Sequence, residues 1–98
     1  MITQKFRKKP VVIEAMQYDG SSVTATPIIA WALGEGGSVT YYCEDGESCR
    51  RDSHVLRVAT LKGAVTALPG DWIIRGVKGE FYPCKPDIFA ATYEAADQ

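Results

Sequence analysis

Histidine occurs once in this sequence and cysteine three times, and neither sign of charge prevails: 11 Lys and Arg stand against 12 Asp and Glu, for a formal net charge of −1. Each scarcity excludes something. A single histidine, His54, leaves nucleophilic catalysis short of bases, and no G-x-S-x-G elbow is present. Near-neutral charge argues against a chain whose main work is coating nucleic acid or anionic lipid. No apolar run approaches the roughly 18–20 residues of a bilayer-spanning helix, so no membrane partner is expected. Three cysteines, Cys43, Cys49 and Cys84, cannot all pair within one chain, and reduced thiols in a cytosolic protein are the simplest expectation. The start is basic and lacks the apolar stretch before Pro10 that a signal peptide needs, which also points to the cytosol. Phosphate cradles are weak: Gly34-Glu35-Gly36-Gly37 follows a helical pattern instead of preceding one, and there is no Walker lysine motif. No cofactor is expected.

What is present suits one small globular domain, residues 1–98, with 46% hydrophobic residues and a basic N-terminal arm over residues 1–9. That arm carries Lys5, Arg7, Lys8 and Lys9 and no acid. The pattern predicts a strand from Pro10 to Tyr18, ending at Asp19-Gly20, and a polar stretch from Ser21 to Ala25. A short helix follows, with Thr26 as cap, Pro27 at its first position and Gly34 closing it, Trp31 lying against the sheet. Val39–Cys43, His54–Thr60, Ala64–Leu68, Trp72–Val77 and Glu80–Cys84 read as strands, with Lys78-Gly79 a two-residue hairpin connection and Glu44–Ser53 an exposed loop. Pro86-Asp87 opens a last helix, Ile88 to Ala95, with Phe89 and Tyr93 on one face. Tight connections between neighbouring strands imply an α+β domain: a mostly antiparallel β-sheet or partly open barrel with two short helices.

Few residue sets could carry chemistry. Cys43, Cys49, His54 and the distant Cys84 lack the spacing of a zinc knuckle, so ordinary loop and core thiols compete with a metal site. A Cys84–His54 pair and an Asp71–Glu80 carboxylate pair are the only catalytic groupings to test, and local turn bonding accounts for Asp71 as readily. The remaining signal is cations interleaved with aromatics. Lys8 and Lys9 belong to one group; Trp72, Arg75, Lys78, Phe81, Tyr82 and Lys85 form another. A ring and a cation on one surface can stack a nucleotide base and neutralise its phosphate. The competing explanation is that the rings fill the core and the cations are solvated.

Trp31 of the short helix and Thr60-Leu61-Lys62-Gly63, together with two longer segments, resemble a family of small proteins encoded by bacteriophages and prophages. The first is Lys5-Phe6-Arg7-Lys8-Lys9-Pro10-Val11-Val12-Ile13-Glu14-Ala15. The second runs from Pro69-Gly70-Asp71-Trp72-Ile73-Ile74-Arg75-Gly76-Val77-Lys78-Gly79-Glu80-Phe81-Tyr82-Pro83-Cys84-Lys85-Pro86-Asp87-Ile88-Phe89 to Thr92-Tyr93-Glu94. The resemblance implies a phage origin and action in the host cytoplasm, and it brings no catalytic residues with it. The expectation is a non-catalytic binding protein that antagonises host defence by sequestering a nucleotide-type signal or another host component. The alternative is an accessory protein that binds nucleic acid through Lys5, Arg7, Lys8 and Lys9, or a host protein, during replication or takeover. Exposed strand edges also lead to the expectation of a homo-oligomer.

Overall fold

The computed structural model describes residues 2–6, 10–43 and 54–96. Among them six strands and two helices follow in the order β1 (Glu14–Gln17), α1 (Ser22–Gly34), β2 (Val39–Cys43), β3 (His54–Thr60), β4 (Gly63–Ala67), β5 (Trp72–Arg75), β6 (Phe81–Cys84) and α2 (Pro86–Thr92). All pairings are antiparallel, and the strands form two three-stranded sheets, β1-β5-β6 and β2-β3-β4. The expected α+β class therefore holds; the sheets stay open and do not close into a barrel.

The period-2 pattern of the strands decides what each sheet buries. In β2-β3-β4, Val39, Leu56, Val58 and Ala67 turn inward, while Thr40, Arg57 and Thr66 share the exposed face. In β1-β5-β6 the inward residues are Met16, Ile73 and Phe81. Helix α1 contributes Ala25, Ile28 and Ala32, spaced three and four apart on one stripe. Tyr18, fully buried, joins the parts: its N–H donates to the Asp71 carbonyl at 2.9 Å and its hydroxyl to the His54 carbonyl at 3.0 Å. The loop after α1 passes so close to the core that a Cβ on Gly37 would overlap the Phe81 ring.

Helix α1 starts earlier than the sequence pattern indicates. Thr26 is not its cap and Pro27 lies inside it; the expected polar loop over residues 21–25 is the first turn. The reason is Asp19. Its Oδ1 accepts the Ser21 N–H at 2.8 Å, the Ser21 hydroxyl at 2.6 Å and the Thr24 hydroxyl at 2.7 Å, which fixes the chain entering the helix. These bonds also hold the Asp19 carboxyl below its ordinary pKa. Pro27 removes a helical hydrogen bond from an exposed side of the helix, where water can replace it.

Other boundaries shift as well. Strand β1 covers only Glu14–Gln17, because residues 10–13 have no strand partner among the described residues. Strand β4 begins and ends one residue early, and α2 spans Pro86–Thr92. The β5–β6 connection is Gly76–Glu80 and not two residues, closed by the Gly76 N–H on the Glu80 carbonyl at 2.7 Å; Gly79 in it has φ +84°, a conformation that favours glycine. The expected loop Glu44–Ser53 lies outside the described residues. One chemical expectation is corrected outright: Cys43 is disulfide-bonded and not reduced, while Cys84 carries a free thiol.

Candidate functional site

Inward packing of Ile73 and Phe81 turns their neighbours on β5 and β6 to the opposite face of the sheet. Trp72 and Tyr82 stand there, with Ala15 of β1 in register beside Ile74. They floor an open groove of about 1160 Å³. One wall is the segment from Pro10 to Ile13; the other is α2 and the chain that follows it, from Thr92 to Ala96.

The floor and the α2 wall are held together by rings. Trp72 and Phe89 stack with centroids 4.1 Å apart and planes 4° from parallel. Phe89 continues to Tyr93 at 5.1 Å, tilted by 35°. The Tyr82 and Tyr93 hydroxyls approach to 3.5 Å. Burial, with the Tyr93 hydroxyl second, pushes the Tyr82 phenol well above its ordinary pKa, so it is neutral throughout the physiological range. Burial likewise raises the Cys84 thiol, with Asp71 and Asp87 adding to the effect. That thiol is protonated and poorly nucleophilic at neutral pH.

The charge of the groove is acidic. Glu80 and Glu94 line it; Glu14 borders it, but its carboxylate turns with Arg75 to the other face of the sheet and pairs with it, and no Lys or Arg lines the groove among the described residues. Glu80 also accepts the Lys78 N–H at 3.0 Å, which ties the groove's end to the β5–β6 turn.

The structure thus divides the predicted cation–aromatic set. Trp72 and Tyr82 share the groove. Phe81 does not: it is buried on the other face, edge-on to Trp31 at 5.1 Å. Arg75 also faces away, between Glu35 at 3.3 Å and Glu14 at 3.6 Å, because it is in register with Phe81. Its Nε is buried with no hydrogen-bond partner among the described residues. Lys85 reaches the buried Asp71 carboxylate at 3.0 Å, and Asp71 also accepts the Leu68 N–H at 3.0 Å; the pair closes a turn. Lys78 is exposed in the β5–β6 turn. Lys8 and Lys9 lie outside the described residues. The rings that complete the groove, Phe89 and Tyr93, were visible in the sequence only as an i, i+4 pair.

The other candidate groupings separate. Asp71 precedes β5 and Glu80 precedes β6, so the ladder holds them at opposite ends of the hairpin, five residue steps or about 16 Å apart at 3.3 Å per residue. Cys84 belongs to one sheet and His54 to the other, where His54 stacks flat on Tyr41 at 4.5 Å. Cys43 lies directly across from His54, and its sulfur is committed to a disulfide. Cys49 is outside the described residues. A smaller cavity of about 370 Å³ adjoins the groove, between Leu61, Val65 and Pro83, with Glu80 and Tyr82 bordering both.

Comparison with known protein families, curated proteins and solved structures returned no match.

Proposed function

We propose that this chain is a small phage-encoded binding protein that acts by holding a host component, as an antagonist of host defence would, and that the acidic aromatic groove is where it holds it. The observation that carries this reading is the ring-floored groove of about 1160 Å³. It is larger than the usual ~300–1,000 Å³ of a pocket that encloses one small ligand, and it is open to solvent. An extended peptide segment fits such a channel. Its apolar and aromatic side chains would lie on Trp72 and Tyr82, and its cations beside Glu80 and Glu94.

Charge separates this from the nucleotide-signal version of the same idea. A phosphate in the groove would meet the carboxylates of Glu80 and Glu94 and no lining cation among the described residues. Two of the cations that the sequence offered for phosphate are engaged elsewhere, Arg75 with Glu14 and Glu35 and Lys85 with Asp71. A host protein segment of basic and aromatic character is therefore the favoured ligand.

The test is calorimetric titration of the full chain with short Arg/Lys–aromatic peptides and, separately, with a panel of cyclic and linear nucleotides. Binding of the peptides, weakened several-fold by Glu94→Lys and by added salt, is the expected result. Nucleotide binding that survives Glu94→Lys, with no peptide binding, overturns the peptide assignment. Heparin retention that falls steeply with salt would instead support the accessory reading through Lys5, Arg7, Lys8 and Lys9.

A further inference from the structure

Residues 2–6 lie outside regular structure, and Ile2 and Phe6 are 91% and 88% exposed. Two apolar side chains so fully solvated, four positions apart on one short segment, have found no place on their own domain. Val11 and Val12, on the groove wall, are also exposed.

The arm and the groove are complementary in two respects. Arm residues 1–9 carry Lys5, Arg7, Lys8 and Lys9 and no acid; the groove carries Glu80 and Glu94. The arm offers Phe6 and Ile2; the groove offers the Trp72 and Tyr82 rings. Phe6 stands four residues from Pro10 and reaches about 13 Å from it when extended, so the groove that receives it must lie close beside the first copy's own groove wall. Entry into the arm's own groove requires a chain reversal, because Pro10 to Ile13 already form its wall. A proline at position 10 works against a tight reversal by favouring extended backbone just before it.

We propose that the groove is occupied by the N-terminal arm of a second copy of this chain, the two copies exchanging arms about a two-fold axis with Phe6 seated on the Trp72–Tyr82 floor. Such an interface is isologous, so each arm–groove contact occurs twice. The proposal rests on reading the groove as a site for an extended basic segment. A host segment of that chemistry then competes with the arm.

Sedimentation equilibrium on the full chain, over a concentration series into the high micromolar range, tests it beside the Phe6→Asp variant. Phe6 supports nothing in the fold, so the variant folds. A dimer whose dissociation constant rises about tenfold or more with Phe6→Asp, and which also weakens with Glu94→Lys and with salt, is the expected result. A synthetic peptide of residues 1–10 should then bind the monomeric Phe6→Asp protein and alter its tryptophan fluorescence. A dimer indifferent to Phe6→Asp overturns arm exchange in favour of strand-edge pairing. A wild-type monomer that binds the peptide overturns exchange but keeps the groove as a site for basic segments. A monomer that ignores the peptide overturns both.

Discussion

Tyr18 shows how much one side chain can determine here. It is fully buried, donates its hydroxyl to the His54 carbonyl and meets the Tyr41 ring edge-on at 6.5 Å. Burial, then Tyr41, pushes its pKa from 10.0 to about 12. The folded protein therefore keeps this proton more tightly than the unfolded chain does. The stabilisation is complete below pH 10 and is lost as pH rises towards 12, in all about 2–3 kcal/mol for a shift of two pH units. Urea unfolding at stepped pH should show a midpoint that is flat to pH 9–10 and then falls. Tyr18→Phe should lower the plateau by about 1 kcal/mol for the lost hydrogen bond and remove much of the alkaline slope. An unchanged slope would mean that Tyr18 is not the group responsible. None of this was legible in the sequence, where Tyr18 only ended a strand pattern; its burial comes from two sheets meeting around it.

At the scale of elements, α2 is the informative case. Seven residues are too few for a helix to persist alone in water, and α2 has no fully buried residue. What keeps it is the Phe89 ring on Trp72, a stack worth about 0.5–1.5 kcal/mol beyond its area. Phe89→Ala should therefore free α2 without unfolding the sheets. The Phe89 and Tyr93 amides, bonded to the Lys85 and Phe89 carbonyls at 2.8 and 2.9 Å, should lose hydrogen-exchange protection. The global urea midpoint should move little. Loss of protection across β5 as well would show that α2 is part of the cooperative core. The i, i+4 spacing of Phe89 and Tyr93 did announce this face. The early start of α1 was not announced: the pattern Thr26-Pro27 is a better local start signal than Asp19-Gly20-Ser21, and only the three bonds converging on Asp19 reverse that preference.

For the whole molecule the question is whether two three-stranded sheets make one unit or two. Leu56 and Val58 of one sheet belong to the same buried cluster as Ile73 and Phe81 of the other, together with Ala25, Ile28 and Ala32 of α1. Leu56→Ala should then cost about 2–5 kcal/mol as a core truncation. The loss should be felt equally by far-UV circular dichroism and by Trp72 in the opposite sheet, the two transitions remaining superimposable. Transitions that separate would show that the sheets unfold independently.

The mostly antiparallel α+β class and the existence of six strands and two helices followed from the sequence, because they depend on period-2 alternation and on Gly and Pro acting locally. The same alternation, known only within each strand, could not say which strands would be neighbours. The tertiary structure decided that. Register with Phe81 sends Arg75 away from the rings, while Trp72 and Tyr82 come together beside Phe89. Among the described residues the groove is lined by carboxylates and no cation, and its walls are supplied by segments some eighty residues apart, whose approach no local pattern encodes.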